Sequence, residues 1–337
     1  MTYHIYGIGA ALVDTEIDVS DQDLAQLDIT KGHMTLVDAE RQQQLVDYLA
    51  GHMMHSKRAS GGSAANSIIA ASYFGAKTFY SCKVANDDNG SFYLKDMQAA
   101  GVACNTYDHV GDAGSVNGGT GKCLVLITPD AERTMLTNLG ISETLCRQSL
   151  DHEAIALAQF AYIEGYLVTS PTGRAAAIEL REAAEKHGVK TALSLSDPGM
   201  VEFFGDGLRE MLGKGVDLLF CNEQEAQGFT ATDNTMAAAE KLKPYAKTFA
   251  ITCGARGALV FDGIELHSIE PHAVKAIDTN GAGDMFAGAF LYAITNGYSY
   301  SDAGRLASRA SAEVVSDYGP RLAAEKHAII RQAVLGK

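Results

Sequence analysis

Short apolar runs alternate with amphipathic stretches along most of this chain, and that rhythm limits its fold more than any other feature. Residues 3–8, 78–82, 160–163, 191–195, 218–221 and 248–252 read as buried strands, while 64–74, 91–100, 172–187 and 235–244 carry helical spacing between them. Apolar strands separated by helices predict a mostly parallel sheet covered on both faces. Two stretches break the rhythm. Residues 11–38 read as short strands and turns. Residues 106–137 read as a Gly-rich turn from Gly111 to Gly121, strand-like 122–127, a Pro129-Asp130 turn and strand-like 133–136. Paired, the two would form a small sheet over the main one. No repeat, low-complexity tract or long linker divides the 337 residues, so the expectation is a single α/β domain, 1–337, with a lid built from these two insertions.

The charge balance narrows the partners. With 41 acidic against 27 basic residues the net charge is −14, which leaves no broad basic surface for nucleic acid or an anionic membrane. A nucleotide still fits a local pocket if a divalent cation offsets its charge. The cysteines (Cys82, Cys104, Cys123, Cys146, Cys221, Cys253) are scattered without a CxxC pair, which predicts buried reduced thiols in place of a disulfide framework or zinc site. Met1-Thr2-Tyr3-His4-Ile5 has no basic stretch leading into an apolar one, and no run of about 18 apolar residues occurs. A soluble cytoplasmic protein is expected.

The chemistry concentrates in Asp278-Thr279-Asn280-Gly281-Ala282-Gly283-Asp284, just before a predicted helix over 285–296 with Phe286, Phe290 and Ala293 on one face. Glycines at a helix start leave its first N–H groups unshielded, and those groups bind anions. Asp284 sets a carboxylate beside that anion hole. The pair suits phosphoryl transfer to a hydroxyl: the backbone stabilises the moving charge and the carboxylate takes the proton. The plainer reading is a Gly-rich turn whose Asp only complements the helix dipole.

The remaining motifs also admit two readings. Gly61, Gly62, Ser63 and Asn66 open the helix over 64–74, either for a polar, uncharged ligand or as a plain helix start capped by Ser63. Asn222 and Glu225 follow a strand and share a helix face, offering an amide and a carboxylate to a hydrated Mg2+ or merely decorating the helix. Thr252, Gly254, Arg256 and Gly257 form a turn that either admits a flat ligand, with Arg256 reaching phosphates, or is a simple hairpin. Asp14, at the end of the first strand, is a hydroxyl-binding carboxylate or a turn residue. Arg133 in the insertion either closes over a phosphate or stays solvated. Gly7 to Leu12 fails the GxGxxG pattern, because Leu12 stands where its third glycine belongs. Gly119-Thr120-Gly121-Lys122 fails the Walker pattern, because Cys123 replaces Ser or Thr and a strand follows.

In their order these motifs resemble the PfkB family of carbohydrate and nucleoside kinases, from the first strand to about Arg321. The glycine pair with Asn66, the NxxE of Asn222 and Glu225, the TxGxxG of Thr252, Gly254 and Gly257, and the DTxGAGD run ending at Asp284 carry the likeness. It implies a ribokinase-like three-layer α/β/α fold with a mostly parallel central sheet and a small β-sheet lid. It makes Asp284 the base and the backbone of Gly281, Ala282 and Gly283 the anion hole. Asn222 and Glu225 would hold Mg2+ with ATP, Glu225 through water, and Thr252, Gly254, Arg256 and Gly257 would lie along the nucleotide. Asp14, Gly61, Gly62, Ser63 and Asn66 would grip the acceptor. The family often uses a monovalent cation such as K+ near the anion hole, for which no ligand is assigned here.

Ser63, Asn280, the Glu164-Gly165-Tyr166 run and residues 128–135, with Arg133 approaching the transferred phosphate, are similar to the adenosine kinase branch. The implied reaction is ATP-dependent phosphorylation of a ribonucleoside 5′-hydroxyl, adenosine to AMP, a purine-salvage step, by a monomer or homodimer. Inosine, guanosine or a free sugar such as ribose or fructose are the alternative acceptors. A non-catalytic nucleoside-binding protein is the alternative from another class, and it needs neither Asp284 nor Glu225.

Overall fold

The computed structural model describes residues 2–51, 59–105 and 118–336, so most of the Gly-rich turn expected from Gly111 lies outside the described residues. In chain order the strands are β1 (Tyr3–Ile8), β2 (Leu12–Asp18), β3 (Met34–Leu36), β4 (Ala59–Gly61), β5 (Thr78–Ser81), β6 (Ala103–Cys104) and β7 (Thr120–Ile127). They continue as β8 (Arg133–Gly140), β9 (Ala158–Glu164), β10 (Lys190–Ser194), β11 (Val216–Asn222), β12 (Ala246–Thr252), β13 (Ala258–Phe261) and β14 (Leu266–Ile269). Among the described residues they form a nine-stranded sheet, ordered β14-β13-β12-β11-β10-β9-β1-β5-β6, and a five-stranded sheet, ordered β3-β8-β7-β2-β4.

The larger sheet is parallel from β12 to β6, and only the β13–β14 hairpin turns back on it. Alternate residues of each central strand feed opposite cores, as the pleat requires. Ile5, Phe160 and Tyr162 pack beneath the helices Ser63–Phe74, Ala282–Thr295 and Tyr300–Val314. Tyr6, Ile8, Ala161 and Ile163 pack beneath Pro171–Lys186, Pro198–Leu212 and Glu223–Thr230. This three-layer ribokinase-like α/β arrangement is the one expected. The smaller sheet draws on both segments that broke the rhythm and also takes in β4. Asp14 lies within β2 of that sheet, not at the end of the first strand. The apolar run hides the break, because the link Gly9-Ala10-Ala11 is as small and buried as the strands beside it.

Strand order reverses at β1. The chain moves from β1 outward through β5 to β6, then returns to β9 on the opposite side of β1. In open α/β sheets ligands bind at the carboxyl ends of strands where the order switches. Here the first link to the smaller sheet leaves from that very point.

Helices Ser63–Phe74 and Ala282–Thr295 pack directly on each other. Ser63 meets Asp284 at one end, and Gly288 meets Ser67 and Ala70 further along, so the two run in the same direction. A methyl group at Gly288 would stand 2.3 Å from the Ser67 carbonyl oxygen, which is backbone and cannot step aside. Gly288→Ala therefore forces the helices apart and is expected to lower stability by about 1–3 kcal/mol. Urea unfolding of the variant checks this, and wild-type stability would contradict it.

Candidate active site

Four helix N-termini converge on a cavity of about 400 Å³ at the carboxyl ends of the central strands. They belong to the helices beginning after Gly62, Asp197, Asn222 and Gly281. Converging helix starts present N–H groups and positive dipole ends to a ligand, the setting in which anions bind. The smaller sheet supplies the opposite wall through Leu12, Cys123, Val125, Met135 and Leu139.

Asp284 is half-buried in the first turn of Ala282–Thr295. Its Oδ1 accepts a hydrogen bond from Ser63 Oγ at 2.6 Å, and its Oδ2 accepts one from Asn66 Nδ2 at 3.1 Å. Burial raises its pKa above the usual carboxylate range, while those two donors and nearby Arg133 pull it back. Ser63 is the first helical residue and not the cap. The cap is Gly62 at φ 97°, and the serine is turned to Asp284 instead.

The loop before Asp284 is tied down on every side. Asp278 accepts from the backbone N–H of Asn280 at 2.8 Å and of Gly319 at 2.9 Å. Thr279 Oγ1 donates to the Ala131 carbonyl at 3.1 Å, joining this loop to the turn before β8. Gly281 has φ 73°, and a Cβ there would fall 2.3 Å from the Pro320 carbonyl oxygen, so only glycine fits.

Asn222 and Glu225 close a capping box. The Glu225 carboxylate accepts from the Asn222 N–H at 2.9 Å and from Asn222 Nδ2 at 2.6 Å, and the Glu225 N–H donates to Asn222 Oδ1 at 2.8 Å. The helix-start reading of this pair is thus realised, and both residues still line the cavity. Burial, with Asp197 adding to it, pushes Glu225 up to about 7 against its hydrogen bond from Asn222.

Two buried side-chain atoms at this site have no hydrogen-bond partner among the described residues. They are an acceptor, Asn66 Oδ1, and a donor, Arg133 Nε. Burial works against the charge on Arg133, yet Tyr166, Asp284 and Asp197 around it hold the guanidinium more firmly protonated. An orphan acceptor and an orphan cationic donor, on residues that both act on Asp284, suit a ligand with a hydroxyl and an anionic group.

This geometry meets its counterpart in known proteins. The family description "pfkB family carbohydrate kinase" matches residues 23–327.

The chain belongs to the PfkB family.

As a PfkB kinase it is a phosphotransferase acting on an alcohol group of a nucleoside or sugar, and the family implies ATP with a divalent metal. Adenosine kinase 1 of Arabidopsis thaliana is 30% identical, over 94% of this chain and 94% of that protein. Among solved structures, a probable sugar kinase from Rhizobium etli superposes with a TM-score of 0.91 at 32% identity, covering 99% of each chain. The adenosine kinase of Sinorhizobium meliloti superposes with a TM-score of 0.91 at 31% identity, covering 99% of this chain and 100% of that one.

Most residues singled out from sequence line the one cavity: Asp14, Gly62, Ser63, Asn66, Arg133, Asn222, Glu225, Thr252, Gly254, Gly281, Ala282, Gly283 and Asp284. Gly61 lies just behind, its Cα so close to the Asp14 carboxylate that a Cβ would stand 2.1 Å from it. Arg256 and Gly257 do not line the cavity. Arg256 is paired with Glu223 beside a separate shallow depression, because its side chain leaves the turn on the outer side. Gly257, at φ 87°, is held against the Ile269 carbonyl where β12 turns into β13.

Glu164, Tyr166 and Asp197 also line the cavity and were not named as site residues from sequence. Asp197-Pro198 after a strand was a legible helix start, with Asp197 Oδ1 accepting the Gly199 N–H at 2.7 Å. The six cysteines are free, and among the described residues no helix is long and apolar enough to cross a membrane.

The buried carboxyls set the pH response. Burial pushes Asp14 up to about 8, with Glu16 and Asp284 adding to it and Arg321 opposing, and pushes Glu164 and Glu225 up to about 7. The folded chain thus holds protons that these groups release near pH 4 to 5 when unfolded. Their contribution is favourable below that range and is lost as pH climbs through 7 and 8. Unfolding free energy of the ligand-free protein should fall between pH 5 and pH 8 by roughly 2–4 kcal/mol for each of these three carboxyls. Urea titrations at the two values measure it, and a flat or rising profile would contradict the assignment.

Proposed function

We propose that this kinase transfers the γ-phosphoryl group of ATP to the 5′-hydroxyl of a ribonucleoside, with adenosine the acceptor and AMP the product. The observation that carries the reading is Asp284, held by Ser63 and Asn66 in a cavity that also contains the orphan acceptor Asn66 Oδ1 and the orphan donor Arg133 Nε. Asp284 takes the hydroxyl proton while the N–H groups of Gly281 and Gly283 meet the phosphoryl oxygens, joined by that of Ala282, which in the ligand-free chain donates to the Thr279 carbonyl at 3.3 Å. Arg133 meets the transferred group from the smaller sheet, which acts as a lid. Its closure keeps water from competing with the acceptor.

A nucleoside is favoured over a free sugar by the walls of the cavity. The smaller sheet offers Leu12, Val125, Met135 and Leu139, with Tyr166 and Leu167 also present, an apolar and aromatic lining suited to a flat base. A bare sugar would leave that surface uncovered. Asp14, which lines the cavity with Gly61 against it, would take ribose hydroxyls. The kinship with proteins named adenosine kinase in plants and bacteria supports the same acceptor.

The divalent metal fits the residues present. Among the described residues no three His, Cys, Asp or Glu side chains gather tightly enough to cage an ion. Glu225 and Asp197 instead both line the cavity, with Arg133 countering the charge of each. That is a donor set for Mg2+, which keeps its waters and takes phosphate oxygens as ligands. When bound it supplies charge neutralisation to the nucleotide's phosphates.

ADP release from Mg-ATP should be strong with adenosine and weak with inosine, guanosine, cytidine, ribose and fructose. Preference for a free sugar would overturn the nucleoside reading, and silence with nucleoside still bound would favour a binding protein. Asp284→Asn should lower kcat by about 10²–10⁴-fold with little change in nucleoside affinity; near-normal turnover would remove Asp284 as the base. Glu225→Gln should raise the Mg2+ needed for half-maximal rate by about tenfold or more, and an unchanged metal titration would sink its role.

A further inference from the structure

Glu164 closes β9, almost fully buried, and neither the proton transfer nor the metal site uses it. Its two oxygens reach two different parts of the active site. Oε1 accepts the Ala10 N–H at 3.1 Å, in the link that carries the chain from β1 to the smaller sheet. Oε2 accepts the Ala64 N–H at 2.8 Å, in the first turn of Ser63–Phe74. Gly9 is pressed against the same carboxylate, where a Cβ would fall 2.5 Å from Oε2. A second contact holds this junction, from Tyr80 Oη to the Ala10 carbonyl at 3.2 Å.

That helix has no cap of its own. Its N-cap is Gly62, which has no side chain to accept a first-turn N–H, and Ser63 is committed to Asp284. First-turn N–H groups need an acceptor, and Ser is among the residues that most readily provide one. Glu164 thus ties down the first turn, which carries Ser63 and Asn66 to Asp284.

We propose that Glu164 is a positioning residue for the phosphoryl transfer: it caps the helix Ser63–Phe74 from a neighbouring strand, fixing the turn that presents Ser63 to Asp284, and anchors the inter-sheet link to the same carboxylate. The inference rests on the kinase reading above. It assigns Glu164 no contact with the reacting atoms. Its effect passes through Ser63, and the nucleotide side of the cavity is independent of it.

The test is a double-substitution cycle on the full chain with Mg-ATP and adenosine. In Glu164→Gln the side-chain NH2 must face one of the two N–H groups, so at least one loses its acceptor. The expected result is a fall in kcat of about 10²-fold with the KM for ATP unchanged. Ser63→Ala should lower kcat as well, and adding Glu164→Gln to it should change kcat little further, since the second substitution acts through the first. Independent, multiplying losses would overturn the proposal. So would a rise in the acceptor's KM at normal kcat, which would make Glu164 a ligand of the acceptor.

Glu164→Asp, one methylene shorter, reaches only one N–H and should fall between wild type and Glu164→Gln; it serves if the amide variant folds poorly. Hydrogen exchange gives a readout apart from catalysis. At least one of the Ala10 and Ala64 amides should exchange faster in either variant, and unchanged exchange at both would overturn the capping and anchoring role whatever the acceptor. A wild type without turnover would fail the kinase reading instead, and the exchange result would still decide whether Glu164 holds these two amides.

Discussion

Two helices that run side by side in the same direction set the geometry of this site. Ser63–Phe74 and Ala282–Thr295 approach until the Gly288 Cα lies against the Ser67 carbonyl, through a seam of small buried residues that includes Ala70, Ala287 and Gly288. Only that closeness lets Asp284 on one helix meet Ser63 and Asn66 on the other. Parallel helices also place two positive dipole ends together, which is unfavourable unless negative charge sits at the junction. Asp284 and Glu164 are the carboxylates found there, one bonded to side chains and the other to backbone.

Carboxyl burial is the electrostatic signature of the cavity. Asp14, Glu164, Asp197, Glu225 and Asp278 are buried around it and Asp284 is half-buried, in each case with a pKa raised by burial first. Most are countered by backbone N–H groups at helix and loop starts. Arg133 is the cation that recurs against Asp197, Glu225, Asp278 and Asp284. A cluster of this kind is at its least favourable when empty, and a cation-bearing nucleotide relieves it. Local pairing therefore matters more here than the net charge of −14.

How much could be read in advance differed between elements. The central strands were legible because buried parallel strands are apolar on both faces, and their observed ends fall within about two residues of expectation. The start of Ala282–Thr295 was legible because its glycines answer a backbone demand, φ 73° at Gly281 against Pro320. Asp14 was misplaced because Gly9-Ala10-Ala11 conceals the step from one sheet to the other. Ser63 looked like a cap, as serine before a helix does, and only the neighbouring helix shows why it is not. Arg256 matched its motif, yet a side chain leaving a turn can take either side, and Glu223 holds it outside the cavity.

The order of the motifs and an α/β fold with a mostly parallel sheet were therefore legible in the sequence alone, since they depend on local periodicity and on residue types that each impose their own constraint, while the roles of the motif residues came from the likeness to the PfkB family. Tertiary structure decided which residue caps which helix, which polar atoms stay unpaired and which arginine faces the cavity. The physical reason is that hydrogen-bond satisfaction is settled across elements far apart in the chain. Glu164 serves Ala64 across 100 residues, and Ser63 serves Asp284 across 221. No local pattern carries such pairings, because each partner alone would bond equally well to water.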